Sequence, residues 1–134
     1  MKNITIVGTG YVGLVTGVCL SEFGNKVICS DIDDEKISEL KAGKIPIYEP
    51  GLEEIINRNI KNERLSFSSD ISSSIKKSEV IIIAVGTPQS ENGEADLQYV
   101  LSVVQAIKQS LNKYKIICTK STVPIGTGKK IINL

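Results

Sequence analysis

The stretch Gly8-Thr9-Gly10-Tyr11-Val12-Gly13 stands between a β-branched run, Asn3 to Val7, and apolar positions with helical spacing that end at Gly24. Its three glycines match the G-x-G-x-x-G pattern, in which the first glycine makes a tight turn, the second admits a pyrophosphate and the third lets the helix pack closely. This order predicts a strand, a glycine turn and a helix. The backbone N–H groups around Tyr11 and Val12, at the positive end of the helix dipole, are predicted to face the pyrophosphate.

An acidic residue, Asp31, follows the next predicted strand, Lys26 to Ser30, and stands eighteen residues after Gly13. Its carboxylate is suited to accept hydrogen bonds from the hydroxyls of a ribose. A further phosphate on that ribose would meet Asp31 and the three acidic residues at 33–35, with only Lys36 to offset them. Because like charges repel, the sequence predicts NAD rather than NADP as the cofactor.

Other interpretations of the glycine-rich segments are possible. The turn at 8–13 could be a purely structural corner, or it could bind S-adenosylmethionine, whose ribose can also lie on an acid at this strand end. The three-glycine spacing before an apolar helix favours a dinucleotide. Gly126-Thr127-Gly128-Lys129 is not a Walker loop, because Val123 stands at its first glycine position and Lys130 at its Ser or Thr position.

Helical and β-branched segments continue to alternate along the chain. Further strands are predicted at 65–68, 79–85 and 115–119, and further helices at 33–42, 51–60, from Asp70 to Lys77, from Asp96 to about Leu111, and from Thr127 onward. A turn is predicted at Asn92-Gly93. Helices between strands that are apolar on both faces are typical of a parallel sheet covered on both sides. The predicted fold class is α/β, a doubly wound Rossmann-type parallel sheet with helices on both faces, formed by one domain over residues 1–134.

The composition fits one ordinary folded domain. The chain has 134 residues, 41% of them hydrophobic, with sixteen Lys or Arg, fifteen Asp or Glu and a formal charge of +1. These values exclude collagen, coiled coils and disordered tails, and they predict neither a nucleic-acid partner nor a membrane partner. The longest strictly apolar run, Val80 to Val85, has only six residues, and the start lacks a signal peptide. We therefore expect a cytoplasmic protein.

The chain is poorly equipped for catalysis. It has no histidine, so Ser-His and Cys-His nucleophilic machinery is excluded, and an acid or base role could fall only to Lys, Asp, Glu or Tyr. The three cysteines, Cys19, Cys29 and Cys118, are odd in number and have no Cys-x-x-Cys spacing. Neither a disulfide framework nor a metal site is therefore predicted, and all three are expected to be reduced, buried thiols.

Two further polar segments are predicted at the carboxyl ends of strands, where open α/β sheets bind ligands: Gly86-Thr87-Pro88 and the segment 120–124. Together with other motifs, they identify a family resemblance over the whole chain. The motifs are GTGYVGLV (8–15), DID (31–33), IPIYEPGL (45–52), AVGTP (84–88), GEADL (93–97) and KSTVPIGT (120–127). In this order, they resemble the UDP-glucose/GDP-mannose dehydrogenase family.

The resemblance implies an NAD-dependent, four-electron oxidation of a UDP-sugar 6-hydroxyl to a carboxylate, with two NAD reduced per turnover. Within the family it favours UDP-glucose, oxidised to UDP-glucuronate, and leaves UDP-N-acetylmannosamine and GDP-mannose as alternatives. It also implies a homo-oligomer when the protein is full length. By the matching positions, the pyrophosphate would be held by Gly8, Gly10, Tyr11, Val12 and Gly13. The adenosine ribose would be held by Asp31 and Lys36, and the nicotinamide half by Thr87 and Thr122.

In the family, the threonine matched by Thr122 also positions a catalytic water. From the residues alone, Thr122 could be a helix N-cap before Val123-Pro124, which is compatible with that role, and Thr87 could be a simple turn hydroxyl. The segment 48–51 is interpreted as a turn from an extended segment into a helix, without a catalytic role.

The catalytic cysteine, lysine and glutamate of the family lie beyond position 134. The resemblance therefore implies that this chain is the amino-terminal NAD-binding portion, without the helical linker and substrate-binding domain, and inactive alone. A stand-alone nucleotide-binding or redox-sensing domain is one alternative, and another dehydrogenase of the same fold, of the 3-hydroxyacid or 6-phosphogluconate type, is the other. The helix that starts at Thr127 and stops short at Leu134 favours the first interpretation.

Overall fold

The computed structural model describes residues 1–91 and 93–133. Within them the strands are β1 (Asn3–Val7), β2 (Lys26–Ser30), β3 (Leu65–Ser68), β4 (Val80–Ile83) and β5 (Ile116–Thr119). The helices are α1 (Tyr11–Glu22), α2 (Asp34–Lys41), α3 (Leu52–Lys61), α4 (Ile71–Lys77), α5 (Gln98–Ser110) and α6 (Thr127–Ile132). Of the predicted features, Asn92 in the turn and Leu134 in the last helix lie outside the described residues.

The strands form one parallel sheet in the order β3-β2-β1-β4-β5. The chain moves outward from β1 through β2 to β3, and then returns to place β4 on the other side of β1. The strand order therefore reverses between β1 and β4. In open sheets of this kind, ligands bind in the crevice at the carboxyl ends of the strands where the order reverses.

Each face of the sheet is covered by its own apolar core, because successive side chains of a strand point to opposite faces. On one face, Ile4 and Ile6 of β1 pack with Leu14 and Val18 of α1 and with residues of α2 and α3. On the other face, Val7 packs with residues of α4 and α5. The predicted α/β class, with a doubly wound parallel sheet and helices on both faces, is confirmed.

Short polar signals define several helix starts. Asp33 caps α2 by accepting the Lys36 N–H, and Asp70 caps α4 by accepting the Ser73 N–H at 2.8 Å. The helix predicted from Asp96 begins at Gln98, whose N–H donates to the Asp96 carboxylate at 2.9 Å. The predicted acid therefore lies two residues before the helix and still satisfies one N–H of its first turn.

The prediction that all three cysteines are buried is wrong for two of them. Cys29, on the interior strand β2, is fully buried, and burial raises the pKa of its thiol to about 12. Cys19 and Cys118 are exposed. Cys118 lies on β5, which is at the edge of the sheet and is exposed at every residue, so apolar neighbours in the sequence did not ensure burial.

In the part of the chain that the structure describes, every helix is too short or too polar to cross a membrane. The cytoplasmic location stays a prediction.

Candidate functional site

Two glycines of the turn are required by the fold itself. Gly8, directly after β1, has a φ of +105°, and a Cβ there would lie 2.6 Å from the carbonyl oxygen of Ala84. A Cβ at Gly13, in the first turns of α1, would overlap the carbonyl oxygen of Gly8. Both neighbours are backbone atoms of the central strands or the turn, so they have little freedom to move. The turn thus brings the start of α1 close to the carboxyl ends of β1 and β4.

Gly10, the middle glycine of the motif, is not required by the fold in the way that Gly8 and Gly13 are. Gly10 has a φ of −66°, which any residue adopts, and a Cβ there would meet no atom within 4 Å. Neither conformation nor internal packing therefore requires it. A side chain would instead fill the space in front of α1, whose N-terminus has no side-chain cap. The backbone N–H groups at this N-terminus face a space that a Cβ would fill. Such an arrangement suits the phosphate of a bound nucleotide.

Asp31 lies beside this turn and is held by four hydrogen bonds. Its Oδ2 accepts the backbone N–H and the hydroxyl of Thr9, both at 2.8 Å, and the ammonium of Lys36 at 3.5 Å. Among the described residues, only the Asp33 N–H donates to its Oδ1, at 3.3 Å. Oδ1 is therefore the oxygen with more capacity to accept a ligand hydroxyl.

Thr9 is a site residue that the sequence reasoning missed. It is fully buried, and it fixes the carboxylate that the sequence singled out. The motif treats this position as variable, so the only available signal was a hydroxyl residue between two glycines.

The environment of Asp31 favours its ionised form. Partial burial is the largest single influence and raises the pKa, but the hydrogen bonds from Thr9 and Asp33 and the charge of Lys36 together lower it below its ordinary value of 3.8. A carboxyl group with a lowered pKa stabilises the folded state above that ordinary value. The stabilisation is lost as the pH falls through the lowered pKa.

We expect Thr9→Val to lower the free energy of unfolding by roughly 1.5–3 kcal/mol at pH 7, because it removes one hydrogen bond to the ionised Asp31 carboxylate. The difference from the wild type should shrink below about pH 4, where Asp31 becomes protonated in the unfolded chain. Urea unfolding at pH 7 and at pH 3 measures it. Thr16→Val, the same change farther along α1, is the control, and an equal loss at both pH values for Thr9→Val would contradict the prediction.

An apolar pocket of about 140 Å³ adjoins Asp31. Its walls include Ile32, Val85 and Tyr99, and the side chains of Ile32 and Tyr99 remain 78% and 53% exposed. Two large apolar side chains left partly in water beside a polar site form a surface suited to a flat aromatic ring. The sequence reasoning missed this pocket, although an isoleucine directly after the strand-end acid was an available signal.

The two predicted threonines contact each other across the crevice. The Thr87 hydroxyl donates to the carbonyl oxygen of Thr122 at 2.8 Å, and the two hydroxyl oxygens are 3.2 Å apart. Since Thr87 has only one proton to donate, Thr122 must be the donor in the hydroxyl pair. The Thr122 hydroxyl therefore donates its hydrogen bond to Thr87, and its oxygen keeps lone pairs that can accept a hydrogen bond from a ligand.

These contacts correct one interpretation of Thr122. It is not a helix N-cap, because α6 begins five residues later, after Gly126 with a φ of +92°. Nor does the Thr87 hydroxyl serve only its own turn. The loop after β5 is further tied to β4 and the loop after it by Ser121, a residue given no role by the sequence, whose hydroxyl donates to the Val85 carbonyl at 2.7 Å.

All the predicted site residues except Gly13, which is buried in α1, line one continuous crevice. A cleft of about 250 Å³ contains Tyr11, Val12, Thr87 and Thr122 in its walls. A second cleft, of about 260 Å³, contains Asp31 and Lys36. The two clefts share walls at the glycine turn and at the end of β4, and the second adjoins the apolar pocket. The shared residues are Gly10, Ala84, Val85 and Gly86 between the clefts, and Gly8, Asp31, Ile32, Val85 and Tyr99 toward the pocket.

Comparison with known proteins identifies the family of the chain. A family model for the NAD-binding domain of the UDP-glucose/GDP-mannose dehydrogenase family matches residues 2–134. The chain is 56% identical to UDP-glucose 6-dehydrogenase TuaD of Bacillus subtilis over 131 residues, which are 98% of this chain and 28% of that protein. It is 47% identical to UDP-glucose 6-dehydrogenase of Rhizobium meliloti, over 96% of this chain and 30% of that protein. The chain thus spans less than a third of these curated relatives.

Solved structures of the same family share the fold. A UDP-glucose dehydrogenase from Pyrobaculum islandicum superposes with a TM-score of 0.93 at 33% identity, over 99% of this chain and 33% of that one. A GDP-mannose dehydrogenase from Pseudomonas aeruginosa, solved as a ternary complex, has a TM-score of 0.92 at 37% identity, over 97% of this chain and 30% of that one. The chain therefore belongs to the UDP-glucose/GDP-mannose dehydrogenase family, in the part that the family model describes as the NAD-binding domain.

Proposed function

We propose that residues 1–134 form one domain that binds NAD for a UDP-glucose 6-dehydrogenase. The observation that carries this proposal is the continuous crevice, which joins an apolar pocket, a fixed carboxylate, an uncapped helix N-terminus and a pair of hydroxyls in that order. A dinucleotide has matching parts in the same order: an adenine, a ribose diol, a pyrophosphate and a nicotinamide half.

The pyrophosphate is proposed to lie at the start of α1. There Gly10 leaves space, and the N–H groups of Tyr11 and Val12 carry the positive end of the helix dipole. Gly8 and Gly13 act indirectly, because they allow the turn to form. Binding by backbone dipoles, rather than by a lysine or arginine, suits a phosphate that must be held at a defined distance from the sheet.

The adenosine half is proposed to lie between Asp31 and the apolar pocket. Asp31 Oδ1 accepts a ribose hydroxyl, while Thr9 and Lys36 hold the other oxygen in place. The adenine ring contacts Ile32 and Tyr99, which are exposed enough to lose apolar surface on binding.

The nicotinamide half is proposed to lie toward Thr87 and Thr122. When bound, NAD accepts a hydride on its nicotinamide ring, which is the redox chemistry that the chain itself lacks. Because the Thr122 hydroxyl donates its hydrogen bond to Thr87, Thr122 Oγ1 accepts a hydrogen bond from a carboxamide N–H or from a water. A water that donates to Thr122 is thereby oriented, which is the positioning role we propose for this residue.

We expect NADH to bind this chain at least about tenfold more tightly than NADPH. A 2′-phosphate at the ribose would meet the Asp31 carboxylate and the acidic start of α2, whereas the Lys36 ammonium is already paired with Asp31 at 3.5 Å. Fluorescence titration of the two reduced cofactors measures the ratio. Tighter binding of NADPH would contradict the NAD assignment.

The proposed reaction of the full-length protein is oxidation of UDP-glucose to UDP-glucuronate with two NAD reduced, by a homo-oligomer. Support comes from the relatives at 56% and 47% identity, both named UDP-glucose 6-dehydrogenases. Assays of the full-length natural protein with UDP-glucose, UDP-N-acetylmannosamine and GDP-mannose test it. A strong preference for either of the last two would replace UDP-glucose as the substrate and leave the cofactor proposal unchanged.

A further inference from the structure

The segment 44–51, between α2 and α3, contains no helix or strand, yet it is anchored to the domain. Ile45 and Ile47 pack against the core cluster on the α1 face of the sheet. At its end, the N–H of Leu52 donates to the carbonyl oxygen of Glu49 at 3.1 Å, where α3 begins. The backbone of Glu49 is thereby held from both sides, and its carboxylate is presented at a defined place.

That carboxylate contacts the cofactor helix. The Tyr11 hydroxyl donates to Glu49 Oε1, across 38 positions of the chain. Tyr11 is the first residue of α1 and lines the same cleft as Thr87 and Thr122. Among the described residues, no ion pair involves Glu49, so its hydrogen bond with Tyr11 is not shared with a cation.

We propose that Glu49 is a positioning residue for the cofactor, which holds the Tyr11 side chain beside the N-terminus of α1 so that the cleft stays open. The proposal rests on the proposed binding of NAD. The Tyr11 side chain is 55% exposed, so without this bond the ring is free to sample the cleft beside Gly10. Holding it before the cofactor arrives removes an ordering cost from binding.

The hydrogen bond, rather than the charge, is the effective feature. Glutamine at position 49 would retain an acceptor oxygen for the Tyr11 hydroxyl and remove the negative charge. Alanine would remove both. Glu49→Gln should therefore keep the wild-type affinity for NAD, and Glu49→Ala should lose part of it.

The bond can also be observed without cofactor. The hydrogen bond to Glu49, followed by its negative charge, raises the pKa of Tyr11 above the ordinary 10.0. The chain has four tyrosines, so carbon NMR of tyrosine-labelled protein can follow each ring separately. The Tyr11 resonance, assigned with Tyr11→Phe, should titrate above pH 10 in the wild type and at a lower pH in Glu49→Ala.

The decisive experiment is a double-mutant cycle on NAD affinity. We expect Tyr11→Phe and Glu49→Ala each to weaken NAD binding by about threefold to tenfold, and the double variant to be no weaker than either single variant. Tyr48→Phe is the matched control. It removes a tyrosine hydroxyl from the same segment, where the side chain is 94% exposed, and should bind NAD as the wild type does.

Three results would overturn the positioning role. If the wild type binds NAD and the single variants bind it equally well, or if their losses multiply in the double variant, Glu49 does not act through Tyr11, and the proposed NAD site stands. If the folded wild type binds no NAD, the proposed function fails and this role fails with it. The tyrosine titration then shows separately whether the hydrogen bond forms.

Discussion

Gly13→Ala is expected to lower the free energy of unfolding by at least about 3 kcal/mol, or to prevent folding. The added Cβ would overlap the carbonyl oxygen of Gly8, and it would lie 3.3 Å from the Cβ of Ala84. Relief requires α1 to move away from β1, which would separate apolar residues of the core on that face. Urea unfolding followed by circular dichroism measures the loss.

Gly10→Ala is the matched control for this prediction. Its added Cβ would meet no protein atom within 4 Å, so we expect a loss of stability below about 1 kcal/mol, as for an ordinary change at a helix N-cap. The same variant should bind NAD more weakly, because the methyl group enters the space proposed for the pyrophosphate. If Gly13→Ala were as stable as Gly10→Ala, the close approach of α1 to the glycine turn would be wrong.

Asp31→Asn is expected to weaken NAD binding by about tenfold to a hundredfold while leaving the chain folded. Asparagine retains an oxygen that can accept the buried N–H and hydroxyl of Thr9. It loses the negative charge that strengthens a hydrogen bond from a ribose hydroxyl. Calorimetric titration with NAD measures the change in affinity.

The control for Asp31→Asn is Glu39→Gln, which removes one negative charge from an exposed position on the neighbouring helix α2. We expect it to change NAD affinity by less than about twofold. Equal binding by wild type and Asp31→Asn would contradict the role of the carboxylate, and equal weakening by both variants would show an effect of net charge alone.

The fold and the centre of the site are predictable from the sequence because their signals are local. The turn at 8–13 needs glycine at positions 8 and 13, and the acid at position 31 directly follows the next strand. Aspartates at 33 and 70 start helices through hydrogen bonds to N–H groups three residues later. In each case, the cause of the structure lies within a few residues of the signal.

The features that the sequence did not predict depend on residues that are far apart in the chain. Thr9 and Asp31 are 22 positions apart, and Thr87 and Thr122 are 35 apart, so no local pattern reveals their hydrogen bonds. Similarly, Cys118 lies in an apolar strand that is exposed at every residue, which the sequence of the strand does not reveal. Tyr11 and Glu49 belong to separate motifs, and only the tertiary structure brings them together.

The alternative interpretation of Thr122 as a helix N-cap is wrong for a related reason. A threonine two residues before a proline is a typical N-terminal signal of a helix. Here the carbonyl oxygen of Thr122 instead accepts the Thr87 hydroxyl, and the segment continues to Gly126 before α6 begins. At Thr122, a tertiary hydrogen bond therefore outweighs the local preference of threonine for a helix N-cap.

The most direct test of the proposed function is isothermal titration calorimetry of the folded 134-residue chain with NAD, and with S-adenosylmethionine as the competing ligand. We predict binding of one NAD per chain and no binding of S-adenosylmethionine, because the crevice matches a dinucleotide along its whole length. Binding of S-adenosylmethionine without NAD, or of neither ligand by a chain shown to be folded, would contradict the proposal that this crevice is an NAD site.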